Sequence, residues 1–381
     1  MKFSCTQQNL KQSMQTVTHV AGKNSNLPIL SNVLIKIKNN LIQFIATDLE
    51  IGICHNMRGK IETEGMFTVN AKLLSDYIGL LPNKRVDVTL INNEVKINCE
   101  NFNTKIKGEE ATDYPVIPQI EKKDYYSFDF EVFKKAINKV IFSAATNETR
   151  MELSGVYFEF NQDKLTLAAT DSYRLAEKKL KYKSKNSSVE TKKLIIPTKT
   201  LLEVVRLSAS IQDELSTTKQ EYELKIYISD NQVLFTYDDS ELVSRIIEGQ
   251  YPDYQQIIPQ APTENKTVII VNKQEILRAI KASSLFSKTN INDIHLDIPE
   301  NKNKVVVSAV SGQSGESIID VSASTKGKDN GVALNHKYLL DGLQNIDAEE
   351  IIIEIIDANT PCLIKAQGQD DYLYIIMPIK Q

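Results

Sequence analysis

Two aspartates lie at equivalent positions of the sequence, and their carboxylate side chains are well suited to catalysing hydrolysis. Asp48 and Asp171 each end a string Ala-Thr-Asp. A pair of carboxylates can share the acid and base steps of a hydrolysis. Both aspartates also follow a predicted strand, where aspartate commonly accepts hydrogen bonds from the backbone of a turn. We therefore expect a structural role for both, with a carboxylate hydrolase as the alternative interpretation.

The other residue types that catalyse reactions or bind metals are scattered along the chain. No GxSxG, HExxH, Walker or dinucleotide motif occurs, and the string from Gly312 to Gly315 is too short to cradle a phosphate. The histidines and cysteines lie far apart, without metal-ligand spacing or a CxxC pair: His19, His55, His295, His336, Cys5, Cys54, Cys99 and Cys362. We expect no enzyme activity, no metal and no cofactor, and we expect the cysteines to be buried free thiols.

Length and composition indicate a folded protein of several domains. A chain of 381 residues suggests two or three domains, and 41% hydrophobic with 25% charged residues argues against disorder and membrane residence. Residues 1–12 lack the apolar core of a signal peptide, so we expect a cytoplasmic location and no membrane partner. The net charge of −4 would repel nucleic acid if it were spread evenly, so any role on DNA requires segregated charge.

One order of elements occurs three times in the chain: a helix, a strand pair, a strand, a second helix and further strands. Helical periodicity predicts helices over 7–21, 71–81, 130–145, 198–208, 273–287 and 336–345. Alternation predicts strands over 33–38, 42–47, 66–69, 155–160, 164–170, 194–196, 294–298, 304–309 and 331–334, with a turn at Asn39 and Asn40. Ala-Thr-Asp occurs in the first two units, whereas the third has Val310 and Ser311 there.

The repeat predicts a fold class as well as element positions. An amphipathic helix and an alternating sheet must each cover an apolar face, so each unit should be an antiparallel sheet packed on two helices. The expected fold is α+β, with three similar domains at 1–120, 124–260 and 264–381. The alternative is three unrelated α+β domains.

Basic residues concentrate on the predicted helices. The six helical stretches together carry a net charge of +6, which leaves −10 on the remainder. In the helix over 130–145 one arc is apolar, with Phe130, Phe133, Ile137, Val140 and Ile141, and the opposite arc carries Lys134, Lys135 and Lys139. Cations recur at matching positions of the three units: Lys11, Lys134 and Arg278 on the first helices, and Lys72, Lys199 and Lys337 on the second. This repetition predicts helices that face a polyanion.

Short strings then point to a family: Leu27-Pro28-Ile29-Leu30, Ala46-Thr47-Asp48, Ala169-Thr170-Asp171-Ser172-Tyr173-Arg174-Leu175-Ala176, Tyr251-Pro252-Asp253-Tyr254 and Met377-Pro378-Ile379. In this order, over essentially the whole chain, they resemble the bacterial sliding clamps, the beta subunits of DNA polymerase III. The resemblance implies a non-enzymatic ring of two subunits closed head to tail, with helices lining the hole and double-stranded DNA, bound without sequence preference, inside it. It further implies that the replicative polymerase, the clamp loader and repair polymerases dock through short peptides.

The predicted sites form three sets. DNA would contact Lys11, Lys23, Asn24, Lys72, Lys134, Lys135, Lys139, Asn147, Arg150, Lys199, Arg206, Arg278, Lys281 and Lys337. The family resemblance implies a peptide pocket of Leu153, Thr170, Ser172, Tyr173, Arg174, Leu175, Pro252, Ile257, Asn359, Pro361, Ile376, Met377, Pro378 and Ile379. It also implies a subunit joint of Thr104 and Ile106 against Leu285 and Phe286.

Two departures from the family pattern bear on the peptide preference. Gln256 stands where an arginine is frequent, and Lys380-Gln381 replaces the usual Arg-Leu ending. Besides the hydrolase, a peptide-binding scaffold with no role on DNA is an alternative function.

Overall fold

The computed structural model describes residues 1–22, 27–146, 149–184, 191–207, 223–259, 266–300 and 302–380. The helices in these ranges are α1 (Gln7–Thr18), α2 (Ala71–Gly79), α3 (Phe130–Ile141), α4 (Thr198–Arg206), α5 (Lys273–Ser284) and α6 (His336–Gln344). Short 3-10 helices cover Pro28–Ser31, Ala111–Asp113, Met151–Leu153 and Tyr254–Ile257.

The strands of the first half of the chain are β1 (Lys2–Thr6), β2 (Asn32–Lys38), β3 (Leu41–Thr47), β4 (Ile51–Met57), β5 (Lys60–Thr63), β6 (Gly65–Asn70), β7 (Arg85–Ile91), β8 (Glu94–Cys99), β9 (Phe102–Glu109), β10 (Tyr126–Asp129), β11 (Gly155–Asn161), β12 (Lys164–Thr170), β13 (Arg174–Lys181) and β14 (Lys183–Ser184). Those of the second half are β15 (Lys192–Pro197), β16 (Glu223–Ile228), β17 (Gln232–Tyr237), β18 (Ser240–Arg245), β19 (Thr267–Asn272), β20 (Asp293–Ile298), β21 (Lys304–Ser311), β22 (Gly315–Lys326), β23 (Asn330–Asn335), β24 (Glu350–Ile355), β25 (Cys362–Ala366) and β26 (Tyr372–Ile376).

The chain forms two compact units, each built on one antiparallel sheet. Unit 1 comprises Met1–Val132, Tyr182–Val189 and Lys199–Ile246, and unit 2 comprises Phe133–Lys181, Glu190–Thr198 and Ile247–Gln381. Because these units cut across the three predicted domains, the boundaries at 120, 124, 260 and 264 stay a prediction. In unit 1 the strand order is β14-β10-β16-β17-β18-β4-β3-β2-β6-β9-β8-β7-β1-β5. In unit 2 it is β15-β11-β12-β13-β26-β25-β24-β19-β22-β21-β20-β23.

Equivalent strands of successive repeats join these sheets. In unit 1 β18 pairs with β4, with Leu242 opposite Ile53. In unit 2 β26 pairs with β13, with Tyr374 opposite Ala176. Since each pair joins the last strand of one repeat to the fourth strand of the previous one, the repeats share continuous sheets.

Most sequence predictions of elements are confirmed within a few residues. The strand predicted over 164–170 coincides with β12, and Asn39 and Asn40 form the predicted turn with φ of 51° and 60°. The helices end earlier than predicted, because their last turns tighten into i to i−3 hydrogen bonds. After α3, the Ser143 N–H donates to the Val140 carbonyl at 3.0 Å, and after α5 the Phe286 N–H donates to that of Ser283 at 2.9 Å.

The fourth strand of every repeat, counting the strand before the first helix, is missing from the sequence prediction. These strands are β4, β13 and β22. They lack the regular alternation of apolar and polar residues that identifies a half-buried strand, because polar or charged residues interrupt it. In β13, for example, Glu177 is buried although it is charged. Partners elsewhere in the fold, rather than local hydrophobicity, stabilise these strands.

A buried histidine lies at the β4–β18 pairing of unit 1. The His55 Nδ1 lies 2.9 Å from the Ser240 Oγ, and only 6% of the residue is exposed. Burial lowers the pKa of His55, and the charges of Asp239 and Asp238 oppose that effect only partly. The imidazole is therefore harder to protonate in the folded chain than in the unfolded one, where its pKa is about 6.5.

Unfolding at low pH should report this difference. The contribution of the neutral His55 to the free energy of unfolding is fully present above about pH 6.5. It is lost as the pH falls below that value, by up to about 1.4 kcal/mol per pH unit. We expect His55→Gln to lose less stability than the original chain between pH 7.5 and 5.5, measured by urea unfolding. His19→Gln, which changes an exposed histidine, is the matched control and should behave like the original chain. Equal losses in all three proteins would contradict this assignment.

Candidate functional site

The two Thr-Asp strings form the same turn. In unit 2 the Asp171 Oδ1 accepts the N–H groups of Tyr173 and Arg174, each at 3.0 Å. The Thr170 hydroxyl donates to the Arg174 carbonyl at 2.6 Å, and Ser172 adopts a positive φ of 78°. The predicted structural role of this aspartate is confirmed.

In unit 1 the Asp48 Oδ1 accepts the N–H groups of Glu50 and Ile51, at 3.0 and 2.8 Å, and Leu49 has a φ of 80°. The other carboxylate oxygen of Asp48 bonds to Lys199, as that of Asp171 bonds to Arg174. Both carboxylates are thus engaged in turns and ion pairs, which is unlike the free acid and base that the hydrolase alternative requires.

The first residues of β13 and the end of β26 bring together much of the predicted peptide pocket. Arg174 lies opposite Ile376, and Ile376 in turn lies opposite Cys362 of β25. Beyond β26, the Met377 N–H donates to the Tyr173 carbonyl at 2.8 Å. The pocket is therefore built from strand ends fixed by the sheet.

The base of this site is a sealed hydrophobic cluster. It contains Leu153, Ala168, Leu175, Ile195, Tyr251, Tyr254, Leu363 and Ile375. Leu175 is 0% exposed and Leu153 is 2% exposed. The family resemblance implies that Leu175 is part of the pocket wall, but in the structure its side chain lies in the core beneath the surface. Leu153, Thr170 and Ile376 are likewise buried.

The accessible surface of the site comes from the remaining predicted residues. Tyr173 is 62% exposed and Ile257 is 38% exposed. Ser172 and Pro252 are also exposed, and Arg174, Pro361, Met377, Pro378 and Ile379 are half-buried. Asn359 is exposed in a separate turn, where its N–H donates to the Asp357 Oδ1 at 2.7 Å.

Arg174 is held rigidly at the edge of the site. Its Nε lies 2.9 Å from the Asp171 Oδ2, and its Nη1 lies 2.6 Å from the Asp341 Oδ2. Its guanidinium also stacks 4.6 Å from the ring centroid of Tyr338 and 5.7 Å from that of Phe142. Because charge and aromatic contacts fix the planar group from several sides, it can shape the site without reorganising.

Sequence reasoning missed the residues that fix the segment after Tyr251. The Tyr254 hydroxyl donates to the Glu177 Oε2 at 2.7 Å, and Glu177 also pairs with Lys179 at 2.9 Å. Burial raises the pKa of the Tyr254 hydroxyl, with Glu177 adding to the effect. Tyr251 stacks on Tyr157 at 5.1 Å between centroids. The string Tyr-Pro-Asp-Tyr was the available signal, but Glu177 lies far from it in the sequence.

The side chains predicted to contact DNA differ in their exposure and in their ion pairing. Those exposed are Lys72, Lys135, Arg150, Lys199, Arg206, Arg278, Lys281 and Lys337, whereas Lys11, Lys134 and Lys139 are half-buried. Lys199 pairs with Asp48, and Arg206 pairs with Glu203 at 2.5 Å. Lys23, Asn24 and Asn147 lie outside the described residues.

Lys139 departs most from its expected position on an open basic face. Its Nζ lies 3.0 Å from the Asp347 carboxylate and 5.6 Å from the ring centroid of Tyr372, and its side chain is only 15% exposed. This ion pair neutralises Lys139. The apolar arc of α3 is as predicted for Phe130, Phe133, Ile137 and Val140, which are buried, whereas Ile141 is half-buried.

The predicted joint residues lie beside two strand edges that have no partner strand among the described residues. On β9 only Gly108 and Glu109 pair with β6, so residues 102–107 have one unpaired edge. On β22 only residues 323–326 pair with β19, which leaves the same kind of edge along 315–322. Leu285 is 76% exposed, Thr104 and Phe286 are half-buried, and Ile106 is a buried core residue rather than a surface one. The exposed Ile318 on β22 was not predicted.

The cysteine side chains are largely enclosed by the fold. Cys5, Cys99 and Cys362 are buried free thiols as predicted, whereas Cys54 is only half-buried. Burial raises the pKa of Cys5 and of Cys362 to about 12, so neither is a ready nucleophile. In the part of the chain that the structure describes, no group of three or more His, Cys, Asp and Glu side chains is placed to hold a metal ion. No helix among the described residues is long and apolar enough to cross a membrane.

Comparison with known proteins covers nearly the whole chain. Three family models match in order: the N-terminal domain of the DNA polymerase III beta subunit over residues 1–118, its central domain over 127–253 and its C-terminal domain over 256–380. The chain belongs to the DNA polymerase III beta subunit family. The fold class predicted from the repeats, three similar α+β domains, is confirmed, as is their implied resemblance to clamp domains, and the alternative of three unrelated domains is wrong.

Full-length relatives agree with this membership. The chain is 28% identical to the beta sliding clamp of Bacillus subtilis, with all of both chains covered, and 26% identical to that of Synechococcus elongatus, over 100% of this chain and 99% of the relative. A solved DNA polymerase III beta subunit from Eubacterium rectale superposes over all of both chains with a TM-score of 0.90 and 27% identity. The sliding clamp structure from Bacillus subtilis gives 0.91 and 27%, over 100% of this chain and 99% of that one.

Proposed function

We propose that this chain is a DNA sliding clamp: two copies form a closed ring around duplex DNA and tether polymerases to it without catalysing a reaction themselves. The observation that carries the proposal is the one joint that each chain leaves open. Two of three equivalent strand joints, β18–β4 and β26–β13, are made inside the chain. The third would need β9 and β22, whose edges are unpaired over 102–107 and 315–322 within the described chain.

A second copy supplies the missing partner for each open edge. When β9 of one copy pairs with β22 of the other, and the reverse, two identical joints close a ring with no open strand edge at either of them. The two internal joints also indicate the register. They place Leu242 opposite Ile53 and Tyr374 opposite Ala176, and the corresponding residues of the open edges are Thr104 and Ser317.

This register has favourable side-chain consequences. It sets Lys105 opposite Glu316 and Phe102 opposite Ile319, so a charge pair and an apolar pair would each face across the joint. Phe102 on β9 is 44% exposed, and Leu285, which follows the β22-packed helix α5, is 76% exposed. These apolar surfaces are what a stable subunit interface would bury.

The exposed helix cations support the role on DNA. Arg278 and Lys281 are exposed on α5, Lys337 on α6 and Lys72 on α2. Contacts of lysine and arginine with phosphates are independent of base sequence, so a ring lined by them holds the duplex weakly and can move along it. Encirclement prevents escape while these weak contacts permit sliding.

The pocket in unit 2 supports a second part of the proposal, in which a polymerase, a clamp loader or a repair polymerase docks a short peptide. Its accessible groups are mainly apolar and aromatic, and the carboxylate-bound Arg174 and the turn at Ser172 fix their arrangement. Such a surface suits apolar peptide side chains. Gln256 donates to the Asp253 carboxylate at 2.9 Å on its rim, where the family often has arginine, so the peptide preference would differ from that of relatives.

Two substitutions should separate the surface of the pocket from its floor. Met377 is half-buried and flexible, so Met377→Ala should weaken binding of a polymerase-derived clamp peptide at least about tenfold, with little loss of stability. Leu175 is sealed in the core, so Leu175→Ala should cost about 2–5 kcal/mol of unfolding free energy. Fluorescence anisotropy and thermal melting of both variants check this. Full peptide affinity in Met377→Ala would remove the pocket assignment.

The proposal as a whole has a topological test. A ring that encircles DNA stays on a closed circular duplex and leaves a linear duplex through its ends, whereas a peptide scaffold with no role on DNA does neither.

A further inference from the structure

We propose that unit 1 holds a second peptide groove, selective for a short segment with a carboxylate next to aliphatic side chains. A cavity of about 260 Å³ opens beside the β4–β18 joint. Leu49 and Gly52 line one side, Val116 and Ile117 another, and Gln232 and Arg245 the third. This groove is distinct from the pocket in unit 2, with which it shares no residue.

Internal repetition makes the two sites equivalent. The Thr47–Asp48 turn repeats the Thr170–Asp171 turn, hydrogen bond for hydrogen bond. The Tyr114 hydroxyl donates to the Ile45 carbonyl at 3.2 Å, as the Tyr251 hydroxyl does to that of Ala168 at 3.4 Å. The choice of a peptide as ligand therefore rests on the proposed function of the unit 2 pocket.

The groove is firmly built and has an open apolar mouth. Ile117 packs so closely on Gly52 that a Cβ atom on residue 52 would lie 2.8 Å from the Cδ1 of Ile117. The neighbouring Val243 is buried. At the mouth Val116 is 91% exposed and Leu49 is 47% exposed, the latter held by its positive φ. The volume is slightly below the range of about 300–1,000 Å³ typical of ligand pockets, so it suits a few residues and not a folded domain.

Charge complementarity indicates the polar part of the ligand. Arg245 takes the place that Met377 has in unit 2, and it lies opposite Gln232 across the β17–β18 pair. Its side chain is exposed, and among the described residues no ion pair of Arg245 is found. Glu50, the nearby acid in the groove, is already close to Lys199 at 3.9 Å. An arginine beside a glutamine amide can hold one carboxylate through two parallel guanidinium N–H groups and the amide N–H, a planar geometry that neither lysine nor methionine provides.

One methyl NMR titration of the full-length protein tests the groove and the unit 2 pocket separately. The probes are acetyl-Gly-Leu-Leu-Asp-Gly-amide and its Asn counterpart, and the reporters are the methyl groups of Leu49 and Val116. We expect saturable shifts at both reporters, with binding of the Asp peptide at least about fivefold tighter than that of the Asn peptide. In Arg245→Gln this preference should fall to about one, and Val116→Asp should weaken binding of the Asp peptide at least about fivefold. Val116 is so exposed that its substitution leaves the fold intact.

Two results would overturn the inference: no shift of the Leu49 and Val116 methyl groups up to the solubility limit of the Asp peptide, or equal binding of the two peptides that Arg245→Gln does not change. The methyl groups of Ile257 and Ile379, titrated with a polymerase-derived clamp peptide in the same samples, report the unit 2 pocket. Silence there alone would contradict the proposed function, and silence at Leu49 and Val116 alone would contradict only the second groove.

Discussion

Carboxylates placed at the β22 side of the proposed joint should convert a dimer into monomers. Leu285 is 76% exposed and Ile318 is 64% exposed in the single chain, so Leu285→Asp with Ile318→Asp should leave its fold intact. In a ring both sites would be buried at two joints, where removing each apolar side chain costs about 1.5–3 kcal/mol and an unpaired carboxylate costs more. We expect the dimer dissociation constant to rise at least about 100-fold, measured by sedimentation equilibrium.

Leu41→Asp is the matched control for this variant. It also introduces a carboxylate at a half-exposed leucine, but on the β2–β3 hairpin and away from both edges. The register has its own check, because Lys105→Glu should weaken the dimer and Glu316→Lys in the same chain should restore it. An unchanged dimer in the Leu285 and Ile318 double variant would show that these edges do not form the joint.

Reversing two exposed cations on α5 should have the second largest effect. Arg278 and Lys281 are exposed on one helix, and a dimer would present four such charges to the duplex. In Arg278→Glu with Lys281→Glu we expect affinity for linear duplex to fall at least about tenfold at low salt. The slope of log affinity against log salt should also become shallower, by about 0.9 for each phosphate that the variant no longer neutralises. Fluorescence anisotropy over a salt series measures both quantities.

The control for the α5 variant reverses the same charge elsewhere. Lys60→Glu with Lys302→Glu also removes two exposed cations, but neither lysine lies on a helix. If both double variants showed the same fall in affinity, overall charge and not the helix surface would govern binding.

The local sequence pattern was enough to predict most helices and strands, because their buried residues recur at the regular spacing of the helix or the strand. The buried face of α3, with Phe133 and Ile137, follows directly from helical spacing. The strands β4, β13 and β22 could not be predicted in this way. Their polar residues are satisfied by partners distant in the sequence, as when the buried Glu177 accepts from Tyr254.

The sequence was enough to group the residues of each candidate site, but it did not show which of them are buried and which lie at the surface. Strings shared with a family identified Leu175 and Tyr173 as neighbours in one site, yet only the structure separates the 0% exposed leucine from the 62% exposed tyrosine. Likewise, helical spacing put Lys139 on a basic face, but its pairing with Asp347 depends on an element from the other end of the chain. Long-range packing of this kind leaves no local signal in the sequence.

Retention on DNA of different topology tests the central claim most directly. Labelled protein is loaded onto a nicked circular duplex and passed through a gel-filtration column at a salt concentration that abolishes simple phosphate binding. We expect the protein to elute with the circle and to be released when a restriction enzyme linearises the same molecule. Release from the intact circle, or equal retention before and after linearisation, would contradict encirclement.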